Sequence, residues 1–225
     1  LVKSPVHLSS VAGAPLWKDS ETLIFNTWGS RGTQVWLKAL RPEAQPVNLS
    51  RGIAMDISRD GTLLLVQGVP RWGRHSVIEL DDPTLKSHSL PESISDAWAP
   101  KFSPSKKFIA FVSGEKRRDA HIYVTDFPHG ETRFIVNKNL SGLQPFWHPT
   151  EDILYFVHDD IPLDALYSVD ITASPSNRIA QPKLEITLPE STYLGTDYRP
   201  HVLAHQAEMD RFLIIDNLNP RDSEF

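Results

Sequence analysis

The stretch Pro100-Lys101-Phe102-Ser103-Pro104-Ser105-Lys106-Lys107-Phe108-Ile109-Ala110-Phe111 returns 45 residues on as Pro145-Phe146-Trp147-His148-Pro149-Thr150-Glu151-Asp152-Ile153-Leu154-Tyr155-Phe156, aligned without a gap. The same step backwards from Phe102 reaches Ile57 in Met55-Asp56-Ile57-Ser58-Arg59-Asp60-Gly61-Thr62-Leu63-Leu64-Leu65-Val66. A first copy, one residue shorter, is Pro15-Leu16-Trp17-Lys18-Asp19-Ser20-Glu21-Thr22-Leu23-Ile24-Phe25, and a worn fifth runs over 198–203 and 211–215. A fixed period of this length marks a repeat architecture, in which one supersecondary unit is stacked several times.

Each copy holds a short strand ending in a large apolar residue, a tight polar turn, and a second strand rich in Leu, Ile, Phe and Val. A third strand is expected over 34–37, 76–80, 121–124 and 165–169, and a weaker fourth follows, clearest over 132–136. Four strands in roughly 45 residues is the size of a β-propeller blade. A helical solenoid would space its apolar residues by three and four, and that pattern is missing. The expected fold is therefore all-β, a propeller domain over 1–225 with four-stranded antiparallel blades near 14–49, 54–91, 96–137, 142–187 and 196–216. Trp17, Ile57, Phe102 and Trp147 end the first strand of their copies and should occupy equivalent buried positions between blades.

The residues Pro145-Phe146-Trp147-His148-Pro149 with Ile153-Leu154-Tyr155-Phe156 and Leu166-Tyr167, like the Pro100 copy with Ile122-Tyr123, resemble the TolB-like, WD-repeat-like propeller signature. The match covers residues 14 to 170 well and the remainder loosely. It departs at the Asp-Gly turn, kept only by Asp60-Gly61 and replaced by Ser105-Lys106 and Thr150-Glu151. The resemblance implies a ring that usually closes with six blades, of which about five fit in 225 residues, so the chain is expected to be part of a longer one. It also implies an inner strand first and an outer strand last, and a periplasmic or otherwise extracytoplasmic bacterial setting.

With 40% hydrophobic and 23% charged residues the composition is that of an ordinary globular domain. A net charge of -5, from 23 basic and 28 acidic residues, supplies no positive field to collect nucleic acid. Apolar stretches such as 63–66 and 153–157 fall far short of the roughly 20 residues of a membrane helix. The absence of cysteine removes disulfides, thiolate metal sites and cysteine nucleophiles without fixing the compartment.

Fold alone does not define activity, so the loops decide. In the geometry the resemblance implies, the loops joining second to third strands share a rim with the blade-to-blade connections. One of them, Val69-Pro70-Arg71-Trp72-Gly73-Arg74-His75, sets an aromatic among arginines, and Trp28 with Gly29-Ser30-Arg31-Gly32 does the same in the neighbouring copy. Tryptophan and arginine dominate interface hot spots. The competing reading of Trp72 is a side chain folded onto its own blade under a stacked Arg. Glu115-Lys116-Arg117-Arg118-Asp119 reads first as a solvated loop of nearly cancelling charge and second as an anion site. The repeated connections Leu90-Pro91-Glu92-Ser93 before Asp96 and Leu188-Pro189-Glu190-Ser191 before Asp197 read first as structural links between blades, with Trp98, Tyr193 and Tyr198 as candidate rim aromatics second. The expected partner-binding set is thus Trp28, Arg31, Arg71, Trp72, Arg74, Trp98, Arg117, Arg118 and Tyr198, gripping a protein or peptide.

No Gly-x-Ser-x-Gly elbow, P-loop or kinase signature occurs. His201 and His205 read as strand residues beside Pro200 rather than a zinc pair. No cofactor, metal or catalytic residue is expected. The leading expectation is a non-catalytic binding or scaffold propeller, TolB-like or the sensor portion of a larger protein such as a bacterial serine/threonine kinase. The alternative is the gating propeller of a prolyl-oligopeptidase-like serine peptidase whose catalytic domain lies elsewhere.

Overall fold

The computed structural model describes residues 15–30, 32–68, 74–114, 120–138, 140, 142–158, 165–172, 180–187, 204–206 and 211–213. Its strands form four separate antiparallel sheets of four. The first holds β1 (Leu16–Trp17), β2 (Thr22–Gly29), β3 (Gly32–Ala39) and β4 (Val47–Arg51), and the second β5 (Ile53–Ile57), β6 (Leu63–Gln67), β7 (His75–Glu79) and β8 (Ser87–Ser89). The third comprises β9 (Trp98–Phe102), β10 (Phe108–Ser113), β11 (His121–Asp126) and β12 (Arg133–Ile135), and the fourth β13 (Leu143–Trp147), β14 (Ile153–His158), β15 (Ala165–Asp170) and β16 (Lys183–Thr187). In every sheet, strands adjacent in sequence are adjacent in space. A further hairpin pairs β17 (Ala204–Gln206) with β18 (Arg211–Leu213). It falls in the expected fifth copy, whose first expected strand at 198–203 lies outside the described residues.

The pairing register reproduces the sequence repeat. Trp17 pairs with Leu23, Ile57 with Leu64, Phe102 with Ile109 and Trp147 with Leu154. The turns between these strands share a device: the Ser58 hydroxyl accepts from the Leu63 N–H at 2.9 Å and the Ser103 hydroxyl from the Phe108 N–H at 3.2 Å. In the fourth copy the His148 ring takes over, with Nδ1 accepting from the Thr150 and Glu151 N–H groups at 3.2 and 3.1 Å. Lys106 takes the place of Gly61 and still adopts the left-handed conformation, φ 59° against 71°. That conformation disfavours a side chain, and Lys106 offsets it by reaching Asp60 and Thr62 of the neighbouring turn.

Because successive strand residues point to opposite faces, the second and third sheets each bury one face against the sheet before and the other against the sheet after, and among the described residues the first and fourth sheets are covered by a neighbouring sheet on one face only. Ile24 and Val35 of the first sheet meet Leu64, Val66 and Ile57 of the second. Leu65 and Val77 of the second meet Phe102, Ile109 and Phe111 of the third, and Ala110, Val112 and Ile122 of the third meet Leu154, Phe156 and Trp147 of the fourth. The inner strands β1, β5, β9 and β13 lie side by side in that order.

Polar straps cross each joint near these strands. The Ala54 N–H donates to Asn26 Oδ1 at 2.8 Å, the Phe102 N–H to Asp56 Oδ2 at 2.9 Å, and the Trp147 indole N–H to the Lys101 carbonyl at 3.1 Å. Gly61 sits so close to the first sheet that a Cβ on it would lie 2.4 Å from the Lys18 carbonyl oxygen.

One expectation needs correcting. Phe102 is buried at 6% exposure and Ile57 and Trp147 pack at their joints, but Trp17 is 57% exposed. In each later sheet this residue covers the face of the preceding sheet. Leu16, its neighbour, packs into the joint with the second sheet, so Trp17 points the other way, where no preceding sheet stands among the described residues.

Candidate functional site

The connections between sheets run beside the loops that join second to third strands. The Gly52 N–H donates to the Thr33 carbonyl at 3.0 Å, the Leu90 N–H to His75 at 2.9 Å, and the Gly142 N–H to Ala120 at 3.2 Å. Each bond ties a connection to the start of a third strand, so one rim carries both sets of loops.

Among the described residues, the paired ladder of the first sheet reaches furthest on this rim. By register, Thr27, Ser113 and His158 are equivalent, and β10 and β14 end at that level. The β2–β3 ladder continues through the pairs Trp28–Thr33 and Gly29–Gly32. Trp28 therefore stands beyond the body of its sheet, 66% exposed. Below it the structure is fixed: the Trp36 indole N–H donates to the Thr27 hydroxyl at 2.9 Å, and Thr33, opposite Trp28, is buried at 2%.

The neighbouring loop of the second sheet begins at Gly68 and returns at Arg74, the Gly68 N–H donating to the Arg74 carbonyl at 3.2 Å. Arg74 is exposed. Gly52 links the first sheet to the second at this rim. Its N–H is bonded to Thr33, and its Cα is so close to the second sheet, at φ 139°, that a Cβ would lie 2.5 Å from the Gln67 carbonyl oxygen. The hairpin carrying Trp28 and the end of β6 thus meet across a single glycine.

Beside this pair, between the second and third sheets, lies a charged group. Burial pushes the Asp96 carboxyl up, but the Ser113 hydroxyl and the Arg133 guanidinium outweigh it and hold the group below the ordinary carboxylate value. Arg133 bonds Asp96 with two nitrogens at 3.3 Å and lies 4.0 Å from the centre of the Tyr123 ring. His75 packs at the same joint, where burial holds its imidazole below 6.5 while Asp96 pulls the other way.

Of the residues expected to bind a partner, Trp28 and Arg74 are exposed on this rim. Trp98 begins β9 and is half-buried against the core shared by the third and fourth sheets. Arg31, Arg71, Trp72, Arg117, Arg118, Tyr193 and Tyr198 lie outside the described residues. The sequence does not predict that Asp96, Ser113 and Arg133 meet, since they come from three elements. Among the described residues no group of three His, Asp or Glu side chains is arranged to hold a metal ion. His205 lies in β17 opposite Phe212, and His201 is outside the described residues.

Radially repeated four-stranded sheets with inner strands side by side define a β-propeller, and solved structures agree. TolB from Agrobacterium tumefaciens superposes with a TM-score of 0.58 at 14% identity, over 76% of this chain and 62% of that one. TolB from Acinetobacter baumannii gives 0.54 at 17%, over 76% and 43%. An acylaminoacyl peptidase from Pyrococcus horikoshii gives 0.53 at 10%, over 79% and 32%. The fold is therefore the TolB-like β-propeller, shared with peptidase propeller domains, and the chain spans less than two thirds of the TolB structures it matches. No protein-family model and no curated protein sequence matches the chain. Among the described residues no helix is long and apolar enough to cross a membrane.

Proposed function

We propose that this propeller is a non-catalytic binding domain that grips a protein or peptide segment on the rim formed by the Trp28 hairpin and the Arg74 loop. The observation that carries this reading is Trp28 itself. A tryptophan held two-thirds exposed beyond its sheet, on a rigid ladder, loses hydrophobic free energy that contact with a partner would recover. Rigid backbone beneath it means little ordering cost on binding. Arg74, with Arg31, Arg71 and Trp72 close by in sequence on the same two loops, supplies cations and π-faces suited to an acidic or aromatic segment. The TolB-like fold supports a bacterial extracytoplasmic setting for this activity.

A displayed random-peptide library selected against the wild-type protein should enrich acidic, aromatic-containing sequences. Binding of the enriched peptides should fall at least about tenfold with Trp28→Ala, as expected for a hot-spot tryptophan. Selection of peptides indifferent to both Trp28→Ala and Arg74→Ala would place recognition elsewhere.

A second reading is favoured by the peptidase propellers, whose superposition is nearly as good as that of the TolB structures. In it the domain limits access to the active site of a serine peptidase domain encoded in the same open reading frame. The sequence of that frame decides the matter: a downstream Gly-x-Ser-x-Gly hydrolase domain supports this reading and its absence removes it.

A further inference from the structure

Register gives every sheet a corresponding position near the rim end of its third strand. Asn26 pairs with Val35, Gln67 with His75, Val112 with Ile122 and Val157 with Leu166. Three of the four third-strand residues are apolar and sealed from water, Val35 and Ile122 at 0% exposure and Leu166 at 1%. The fourth is His75, equally sealed at 1%. Neither of its ring nitrogens has a hydrogen-bond partner. An imidazole placed there has given up its hydration and received no bond in return, so the fold at this point favours its neutral form.

The face of the third sheet that meets His75 is polar at the same level. Ser113 is buried at 4% and donates to Asp96, which also receives Arg133. His121 begins β11 on the face turned toward the second sheet, and its Nδ1 is also buried without a partner. Glu92 lies on the connection that carries Asp96, and the exposed Arg74 is next to His75 in the chain. β6 and β10 contribute Gln67 and Ser113, which do not titrate. The joint before this one carries Val35 at the matching position and the joint after it Ile122.

We propose that His75 makes the contact between the second and third blades an acid-sensitive joint, closed around the imidazole while it is neutral, and opened when the imidazolium draws Asp96 away from Ser113 and Arg133. Both flanking joints, sealed by Val35 and Ile122, stay closed under the same conditions. The direction of the effect is fixed by linkage. The unfolded chain takes up the proton near 6.5 and the folded one only at lower pH, so stability is level above 6.5 and falls as the pH drops from there through the lowered value. Each full unit by which the folded value lies below the unfolded one corresponds to about a tenfold loss in the folding equilibrium. An opened joint would disturb the Arg74 loop, which starts from the same strand end, so acidification would also weaken the rim.

The test uses the full chain and its His75→Ile variant, which installs the side chain found in the third blade. Denaturant unfolding between about pH 8 and 5 should show the wild type progressively losing folding equilibrium relative to the variant as the pH falls below 6.5. Amide exchange should quicken on acidification at the contact of β7 with β9 and β10 in the wild type alone. An NMR titration of His75 in the wild type is decisive even if the variant folds poorly. A midpoint below 6.5 supports the joint. A midpoint at or above 6.5, or a variant with unchanged pH dependence, overturns it. None of these readouts depends on any ligand, so the proposal stands or falls separately from the binding reading.

Discussion

Replacing Phe102 by alanine tests the blade register with a magnitude that can be worked out in advance. The ring is 94% removed from water, closes edge-on against Phe127 with centroids 5.4 Å apart, and shares its cluster with Leu65, Val77 and Phe111. A buried phenylalanine withdraws about 200 Å² of apolar surface, which at about 25 cal/mol/Å² amounts to about 5 kcal/mol. Measured Phe→Ala changes of about 3 to 5 kcal/mol bracket the expectation, because the joint lies between two sheets that relax only in part. Trp17→Ala is the matched control, since Trp17 holds the same repeat position with 57% of its surface exposed, and its loss should cost roughly 1 kcal/mol or less. Guanidinium unfolding of both variants gives the comparison directly. Phe102→Ala costing less than about 1 kcal/mol, or costing no more than Trp17→Ala, would refute the assignment of Phe102 to the joint between the second and third blades.

Gly61→Ala should destabilise by about 2 kcal/mol or more, because its φ of 71° disfavours a side chain and the new Cβ would press on the Lys18 carbonyl; a thermal melt within error of wild type contradicts the turn contact. Trp28→Ala and Arg74→Ala should leave the melting temperature nearly unchanged while weakening peptide binding, and a variant that melts early would show a packing role instead. Asp56→Asn keeps an acceptor for the Phe102 N–H but removes the charge. Burial holds the Asp56 carboxyl above 3.8 against the pull of Lys101, so its contribution is full below 3.8 and declines as the pH rises through the folded value. Unfolding measured from about pH 3.5 to 7 should show that decline in the wild type and not in the variant, and equal declines would assign it to another group.

The sheets were legible in the sequence because the 45-residue repeat carries the strand signal four times over, so even the Ser105-Lys106 turn, which lacks the expected Asp-Gly, could be aligned with Asp60-Gly61. The structure adds that Lys106 reproduces the glycine conformation by using its own amine as a tether. Trp17 was misread because a repeat fixes which residues are equivalent but not whether a neighbouring sheet is present to cover them. Trp28 was legible as an aromatic in a glycine-containing loop. Its exposure depends on the β2–β3 ladder continuing through the Trp28–Thr33 and Gly29–Gly32 pairs, a property of pairing rather than composition. His75 carries a signal of its own: it aligns with Val35, Ile122 and Leu166, and a polar residue at a position otherwise apolar stands out once strand register is known. The Asp96, Ser113 and Arg133 group had no such signal, since its members meet only when two sheets pack.

Site-specific photo-cross-linking in the source cell tests the binding rim most directly. A benzophenone amino acid placed at Trp28 or Arg74 should cross-link to the same protein partner, whereas the same probe at Glu43 or Thr84, on loops at the opposite ends of the strands, should not. Cross-links from Glu43 and Thr84 with none from Trp28 and Arg74 would contradict the account and move recognition to the other rim.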